Sequence, residues 1–363
     1  MRSPAATLRG HTFAAGELKS VARMEPARSS PALSVVVIGR NEGHRLERCL
    51  ESIQRMQWRG SFEVIYVDSN STDGSPELAR LAGAQVVRLD TGKQTAARGR
   101  NAGWRLAATP LVLFLDGDTI LDPDFPRHAA DAMMADPSVA VVWGHCREIH
   151  PSTSIYNRVL DLDWIYPPGI TEFCGGNALV RRDALEQVGG YEESLIAGEE
   201  PEMCRRIRER GLKILHIDAA MVGHDLAITN FHQYWKRAVR SGYAYADVAA
   251  RSRGAGEWLW ENQTAGNVVR GSALLVLPVA SLMIAVAWAS IVPLLVALGI
   301  ASILALRTAH RAKWKCAPWS TRLLYGVHSH FQQIPILAGQ LKYHQDRRKG
   351  RRRQLIEYKE TTR

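Results

Sequence analysis

Residues 111–119 read LVLFLDGDT, five apolar residues running directly into Asp116-Gly117-Asp118. A continuous apolar run closed by turn residues is the pattern of a fully buried strand, commonly a parallel one. Two acids at i and i+2 on its end project to one side, separated by a residue without a side chain. Hard divalent cations such as Mg²⁺ or Mn²⁺ take oxygen ligands and leave positions open for phosphates. The strand end is thus a platform for a metal and a diphosphate, or else an Asp-Gly turn, and the rest of the chain must discriminate.

The neighbouring segments repeat the theme. Leu33 to Gly39 is a β-branched apolar run, and Leu46, Cys49, Leu50, Ile53 and Met56 follow at helical spacing. Phe62 to Val67 is a second strand that ends in Asp68 and the polar turn SNSTDG, after which Ser75 as cap, Pro76 and Glu77 open a helix. Gln85 to Arg88 reads as a short third strand and Thr95 to Ala108 as a helix stopped near Pro110. Alternating strands and helices predict a doubly wound, mostly parallel sheet, in which ligands sit beyond the carboxyl ends of the strands. Asp68 and the Asp116/Asp118 pair lie at such ends, which favours the metal reading. Beyond Asp122 the pattern predicts helices at 123–135, 182–188, 201–210 and 230–250, with strands near 138–146 and 212–217.

Residues 272–306 carry no charge and are interrupted only by Pro278, Ser290 and Pro293. As one helix they would span about 52 Å, well beyond the ~30 Å hydrocarbon core of a bilayer. A break near Ser290–Pro293 gives two short spans. Arg251, Arg253 and Arg270 precede the stretch and Arg307, Arg311, Lys313 and Lys315 follow it, which places both ends on the cytoplasmic side of a hairpin or re-entrant pair. A buried helical hairpin of a soluble protein is the alternative. Residues 321–344 are amphipathic and fit a membrane interface.

The formal net charge is +10, with nine Lys/Arg against three Asp/Glu from Leu341 to Arg363. Beside an apolar hairpin such a tail suits anionic lipid headgroups, and no aromatic-basic interleaving points to nucleic acid. The five cysteines contain no C-x-x-C pair, which argues against a zinc site or a disulfide framework and fits a reducing compartment. The organisation predicted is a disordered leader at 1–32, a catalytic domain at 33–255, a membrane hairpin at 256–310, and an amphipathic segment with a basic tail at 311–363. Removal of residues 271–363 is then expected to free a soluble catalytic domain.

SVVVIGRNE (34–42), EVIYVDSNSTDGS (63–75), GKQTAARGRNAG (92–103), LVLFLDGDT and AGEEPEMCRRIRERG (197–211) together resemble glycosyltransferase family 2, co-linearly over about residues 33–245. The resemblance implies a GT-A fold and inverting transfer from a nucleotide-diphosphate sugar, with UDP the expected carrier. It places the nucleotide sugar against Asn41, Glu42, Asp68, Lys93, Arg100, Asn101 and Asp116. A Mg²⁺ or Mn²⁺ ion falls to Asp118 and Asp116, with His224 as a third ligand. Gly175, Gly176 and Asn177 form the acceptor side. Glu199-Glu200 stand where the family has Glu-Asp, so Glu200 is the expected general base, with Glu199 and Glu202 as alternates.

Each residue has a structural alternative: Glu42 as a first-turn acid, Asp68 as a turn cap, Lys93 as a solvated helix face, His224 as a core histidine, Glu200 as a helix cap. The segment QYWKRAVR (233–240) lacks the order of the Q-x-x-R-W motif of processive members, which disfavours a polysaccharide synthase. The expected acceptor is a membrane-associated or lipid-linked glycan at the cytoplasmic membrane. A nucleotidyltransferase of related fold and a non-catalytic membrane-anchored sugar-nucleotide scaffold are the competing functions.

Overall fold

The structure, a computed structural model, describes residues 31–89, 94–254 and 258–350. Strand β1 (Leu33–Gly39) is buried along most of its length and lies between β2 (Phe62–Asp68) and β4 (Leu111–Asp116), parallel to both. β3 (Gln85–Arg88) extends this parallel set on the β2 side. Register brings Gly39 opposite Asp68 and Ile38 opposite Asp116, so three strand ends are level at one edge. Helices α1 (His44–Gln54), α2 (Ser75–Leu81) and α3 (Ala96–Leu106) cover the faces, which is why the strands read as unbroken apolar runs.

The expected helix starts hold with one shift. Thr95 caps α3 by accepting the Arg98 N–H, but Ser75 lies inside α2, and Gly74 takes the cap position at φ 78°. Asp73 then does the capping, accepting the Ser75 N–H at 3.1 Å and its hydroxyl at 2.7 Å.

The second half contributes β5 (Thr119–Leu121), α4 (Phe125–Ala135), β6 (Val139–Glu148), α5 (Ile155–Asp163), β7 (Gly169–Thr171), β8 (Ala178–Arg181), α6 (Arg182–Val188), α7 (Glu199–Glu209) and β9 (Lys213–His224). The nine-stranded sheet runs β3-β2-β1-β4-β8-β6-β9-β5, with β7 paired to β9. β8 is antiparallel to both β4 and β6, so the parallel pattern holds in the first half and turns mixed in the second. This is the α/β sheet with flanking helices expected of a GT-A fold. The sequence pattern missed β5, β7, β8 and α5, each of which is short, and stopped β9 seven residues early. Its extension matters, because it pairs His224 with Thr119 beside the acids of β4.

Five helices follow: α8 (Phe231–Gly254), α9 (Glu261–Ala287), α10 (Val292–Arg311), α11 (Trp319–Phe331) and α12 (Gln333–Arg348). The apolar stretch breaks at 288–291, where Ala289 adopts φ 45°, at the place expected from Ser290 and Pro293. α9 and α10 are each long and apolar enough to cross a membrane, and side chains such as Val286 and Leu298 stand exposed on them. α12 packs on α8 at close range: a Cβ on Gly242 would strike the Ile336 carbonyl, and one on Gly339 the Val239 carbonyl. The helices expected to form a separate tail segment are therefore packed on the last helix of the catalytic segment. The predicted leader (through residue 30) and the basic residues beyond 350 lie outside the described residues.

Candidate active site

A cavity of about 430 Å³ opens over the carboxyl ends of β1 and β4. Its floor begins with Arg40-Asn41-Glu42, the turn after β1. Asn41 adopts φ 55°, donates its N–H to Ser71 Oγ at 2.9 Å and accepts the Thr72 N–H at 2.8 Å, stitching the turns after β1 and β2 together. Glu42 pairs with Arg45 at 2.9 Å, and both line the cavity. Asp68, expected at the nucleotide, is fully buried instead. It accepts the Ser71 N–H at 3.0 Å and the Tyr66 hydroxyl at 3.2 Å and forms no part of the cavity wall. Its level position on the sheet edge is real, but the turn it anchors closes over it.

The second wall is the end of β4. Gly117 donates its N–H to the Ile38 carbonyl at 2.8 Å, and the Asp116 N–H donates to Asn177 Oδ1 at 2.9 Å, so the Asp-Gly-Asp backbone is fixed from both sides. One ligand atom each of Asp116, Asp118 and His224 lie within 4.8 Å of one another. His224 Nε2 is 3.5 Å from Asp118 Oδ1, and its buried Nδ1 makes no hydrogen bond. Burial drives the imidazole pKa down to about 4, so at neutral pH the ring is uncharged and carries a free lone pair. Two carboxylates and a neutral imidazole form a donor set that fits Mn²⁺ or Mg²⁺.

Arg100 joins this wall to the third. Its guanidinium is 3 % exposed and reaches Asp116 Oδ1 at 2.9 Å through Nη2, and Glu199 and Glu200 at 3.0 Å each through Nη1. It was expected to meet diphosphate oxygens; its terminal nitrogens are instead directed at three carboxylates of the protein, with Nε buried and unbonded. Burial, then the neighbouring Glu199 charge, raises Glu200 to about 7. Glu199 and Glu200 begin α7 and line the cavity. Glu202 does not: its carboxylate is turned to Arg206 at 2.6 Å and Arg205 at 3.3 Å.

Asn101 is a second correction. Its amide donates to the Tyr191 carbonyl and Glu193, and its oxygen accepts from Trp104 Nε1 and the Tyr191 N–H, all within the interior. It braces the chain leading to α7, and no capacity is left for a ligand. Lys93 lies outside the described residues. Gly176 sits at the junction of the walls, where a Cβ would lie 2.9 Å from Asp116 Oδ2 and 3.3 Å from Glu200 Oε1.

The sequence did not single out Arg237, Arg240 and Ser241, which α8 brings to the cavity. Their i, i+3, i+4 spacing, one polar stripe on a helix, was the available signal. Nor did it single out the rings of Trp143, Trp164, Tyr166 and Phe173, which with Gly175, Gly176 and Asn177 line an adjoining cavity of about 250 Å³.

Residues 34–189 match the family described as glycosyl transferase family 2. The chain belongs to glycosyltransferase family 2. It is 22% identical over 196 residues to glycosyltransferase AglE of Haloferax volcanii, covering 51% of this chain and 64% of that protein. It is 26% identical over 264 residues to the pre-mycofactocin glycosyltransferase of Mycobacterium tuberculosis, covering 67% and 51%. These matches span about half to two thirds of the relatives' length. Among solved structures, a mannosyltransferase of Pyrobaculum calidifontis, determined in complex with GDP-Man and Mn²⁺, superposes with a TM-score of 0.60 at 20% identity, covering 88% of this chain and 91% of that one. That likeness establishes the GT-A architecture of this family 2 chain.

Proposed function

We propose that this chain transfers a sugar, with inversion, from a nucleotide-diphosphate donor to a membrane-associated acceptor, with the catalytic domain at the cytoplasmic face. The observation that carries the reading is the convergence of Asp116, Asp118 and His224 with Glu200 around one cavity, joined through Arg100. A divalent ion held by Asp118, Asp116 and His224 would neutralise charge developing on the departing nucleoside diphosphate. The Mn²⁺ and GDP-Man of the Pyrobaculum calidifontis mannosyltransferase support this assignment. The donor base is set by groups that Asp68 does not supply, so UDP and GDP stand equal.

Glu200 takes the proton of the acceptor hydroxyl as it attacks the face of the anomeric carbon opposite the leaving group. Its raised pKa suits it to accept a proton near neutrality. Arg100 keeps the acids of α7 and β4 together and partly balances their charge. Gly175, Gly176 and Asn177 border the acceptor side, and Asn177 also holds Asp116. α9 and α10 support a membrane hairpin, which would keep the cavity close to acceptors embedded in the bilayer.

The test is release of nucleoside diphosphate from a panel of nucleotide sugars, with and without Mn²⁺. Metal-dependent release that Asp118→Asn abolishes is expected. Pyrophosphate release from nucleoside triphosphates would instead favour a nucleotidyltransferase, and binding without any release a scaffold.

A further inference from the structure

The two cavities meet at a neck formed by Asp116, Gly176, His224 and Arg237. Beyond the neck the smaller cavity is walled by rings. Trp143 and Tyr166 stand edge to face at 5.3 Å between centroids, and Trp164 lies 4.8 Å from the His224 ring. Met221 and Leu226 add to the apolar surface, while the Asn177 amide oxygen already accepts the Asp116 N–H. A sugar ring would call for several hydrogen bonds that this wall does not offer, whereas an apolar group calls for none.

Arg237 is the exception in that wall. It is half-buried, and among the described residues its guanidinium makes no hydrogen bond or ion pair. The other guanidiniums nearby differ: Arg100 is held by three carboxylates and Arg45 by Glu42. The nearest acid of α5, Asp163, is turned to His328 at 3.2 Å. A partly desolvated guanidinium with its fork of donors unused is a receptor for a bidentate anion, and phosphate matches it best. Asp163 precedes Trp164 in the ring wall, and His328 belongs to α11, which packs on α10 of the apolar hairpin. The ring-walled cavity is thus attached to the segment that would lie in a membrane.

We propose that this cavity is a subsite for a phosphate ester with an apolar body, and that Arg237 is the residue that reads its phosphate. The inference rests on the transfer reading above and names its acceptor class. The ester can come from a lipid or from a soluble compound, and the shared chemistry is an anion joined to an apolar group.

The full chain in phosphatidylcholine nanodiscs tests it by isothermal titration with three probes: phenyl phosphate, inorganic phosphate and benzyl alcohol. Phenyl phosphate is expected to bind at least tenfold more tightly than either half-probe. Arg237→Ala should erase its advantage over benzyl alcohol, Arg237→Lys should retain part of it, and Trp164→Ala should erase its advantage over inorganic phosphate. Equal binding of phenyl and inorganic phosphate by the native chain overturns the proposal, as does an Arg237→Ala variant with an unchanged ratio. So does loss of nucleoside diphosphate affinity in Arg237→Ala with phenyl phosphate binding intact, which would assign Arg237 to the donor. Hexadecyl phosphate doped into the disc identifies a lipid source if it displaces phenyl phosphate, and a soluble ester if it does not. Metal-dependent release of nucleoside diphosphate by the same sample, without Arg237-dependent ester binding, would sink this inference and leave the transfer reading standing.

Discussion

Arg100 Nη1 lies 3.0 Å from Glu200 Oε1, and the same nitrogen is 3.0 Å from Glu199. Because Nη2 also holds Asp116, one guanidinium on α3 ties the candidate base on α7 to the metal-ligand strand β4. The three acids sit close enough to repel one another strongly, and the buried cation is what makes their proximity tolerable.

Removing that cation should therefore be severe. Arg100→Ala leaves three carboxylates around an uncompensated space, and breaking a buried ion pair by deleting one partner destabilises by roughly 3–5 kcal/mol. Turnover should disappear, and Arg100→Lys should fold better but transfer poorly, since one ammonium cannot reproduce the two-nitrogen bridge. Thermal unfolding and nucleoside diphosphate release on the same preparations check this. An Arg100→Ala protein with unchanged Tm and turnover would refute the bridging role.

The choice of base is equally testable. Glu200→Gln should lower kcat by about 10²–10⁴-fold while donor affinity is kept, the usual range for loss of a general base. Glu202→Gln should leave kcat within a fewfold, because that carboxylate faces Arg205 and Arg206 and not the cavity. Reversal of the two outcomes would transfer the role to Glu202.

The raised Glu200 pKa gives a signed pH dependence. Only the ionised carboxylate can accept a proton, so kcat/KM should fall as pH drops through about 7. Stability moves the other way. A carboxyl whose folded pKa lies above its ordinary value of 4.5 binds more proton when folded, so its contribution is full below about 4.5 and is lost as pH rises through about 7. Rate and Tm profiles of the native chain and Glu200→Gln should differ in both respects.

Gly176 is where the walls leave no room. Gly176→Ala would push a Cβ against Arg100 Nη2 and within 2.9 Å of Asp116 Oδ2. The expected result is a folded protein with at least tenfold lower turnover and weaker Mn²⁺ binding, read by titration of the metal. Native metal affinity and rate would show that the loop yields.

Much of this geometry was legible in the chain because the residues that build it lie at strand ends. LVLFLDGD specifies both a buried strand and the acids at its tip, and register with β1 follows from the matching apolar runs. What escaped depends on contacts between segments far apart in sequence. Asp68 has the pattern of a ligand, yet the Ser71 turn and Tyr66 enclose it. Arg100 has the pattern of a phosphate binder, and only the fold discloses that Glu199 and Glu200 reach it first. Asn101 follows a basic residue as a ligand would, but its partners are some 90 residues away. Arg237 sits in a motif region that looked imperfect, and its place at the neck follows from how α8 crosses the sheet edge.

The same long-range packing reverses the outcome expected from removing the C-terminal segment. Sequence alone predicts that deletion beyond residue 270 frees a soluble catalytic domain. In the fold, α12 covers α8: Tyr243 and Tyr343 meet edge to face at 5.3 Å, and both are buried. Losing α12 would expose Tyr243 and its neighbours on α8, and each large apolar side chain returned to water costs about 1.5–3 kcal/mol. α8 also carries Arg237 and Arg240 into the cavity wall, so its loosening should remove turnover along with stability. A chain ending at residue 270 should accordingly be poorly soluble or inactive. Gly339→Ala offers a milder form of the same test, since its Cβ would strike the Val239 carbonyl; overpacking of this kind costs about 1–3 kcal/mol. Soluble yield, Tm and nucleoside diphosphate release decide the matter, and a soluble, fully active fragment of residues 31–270 would show that α12 is dispensable to the site.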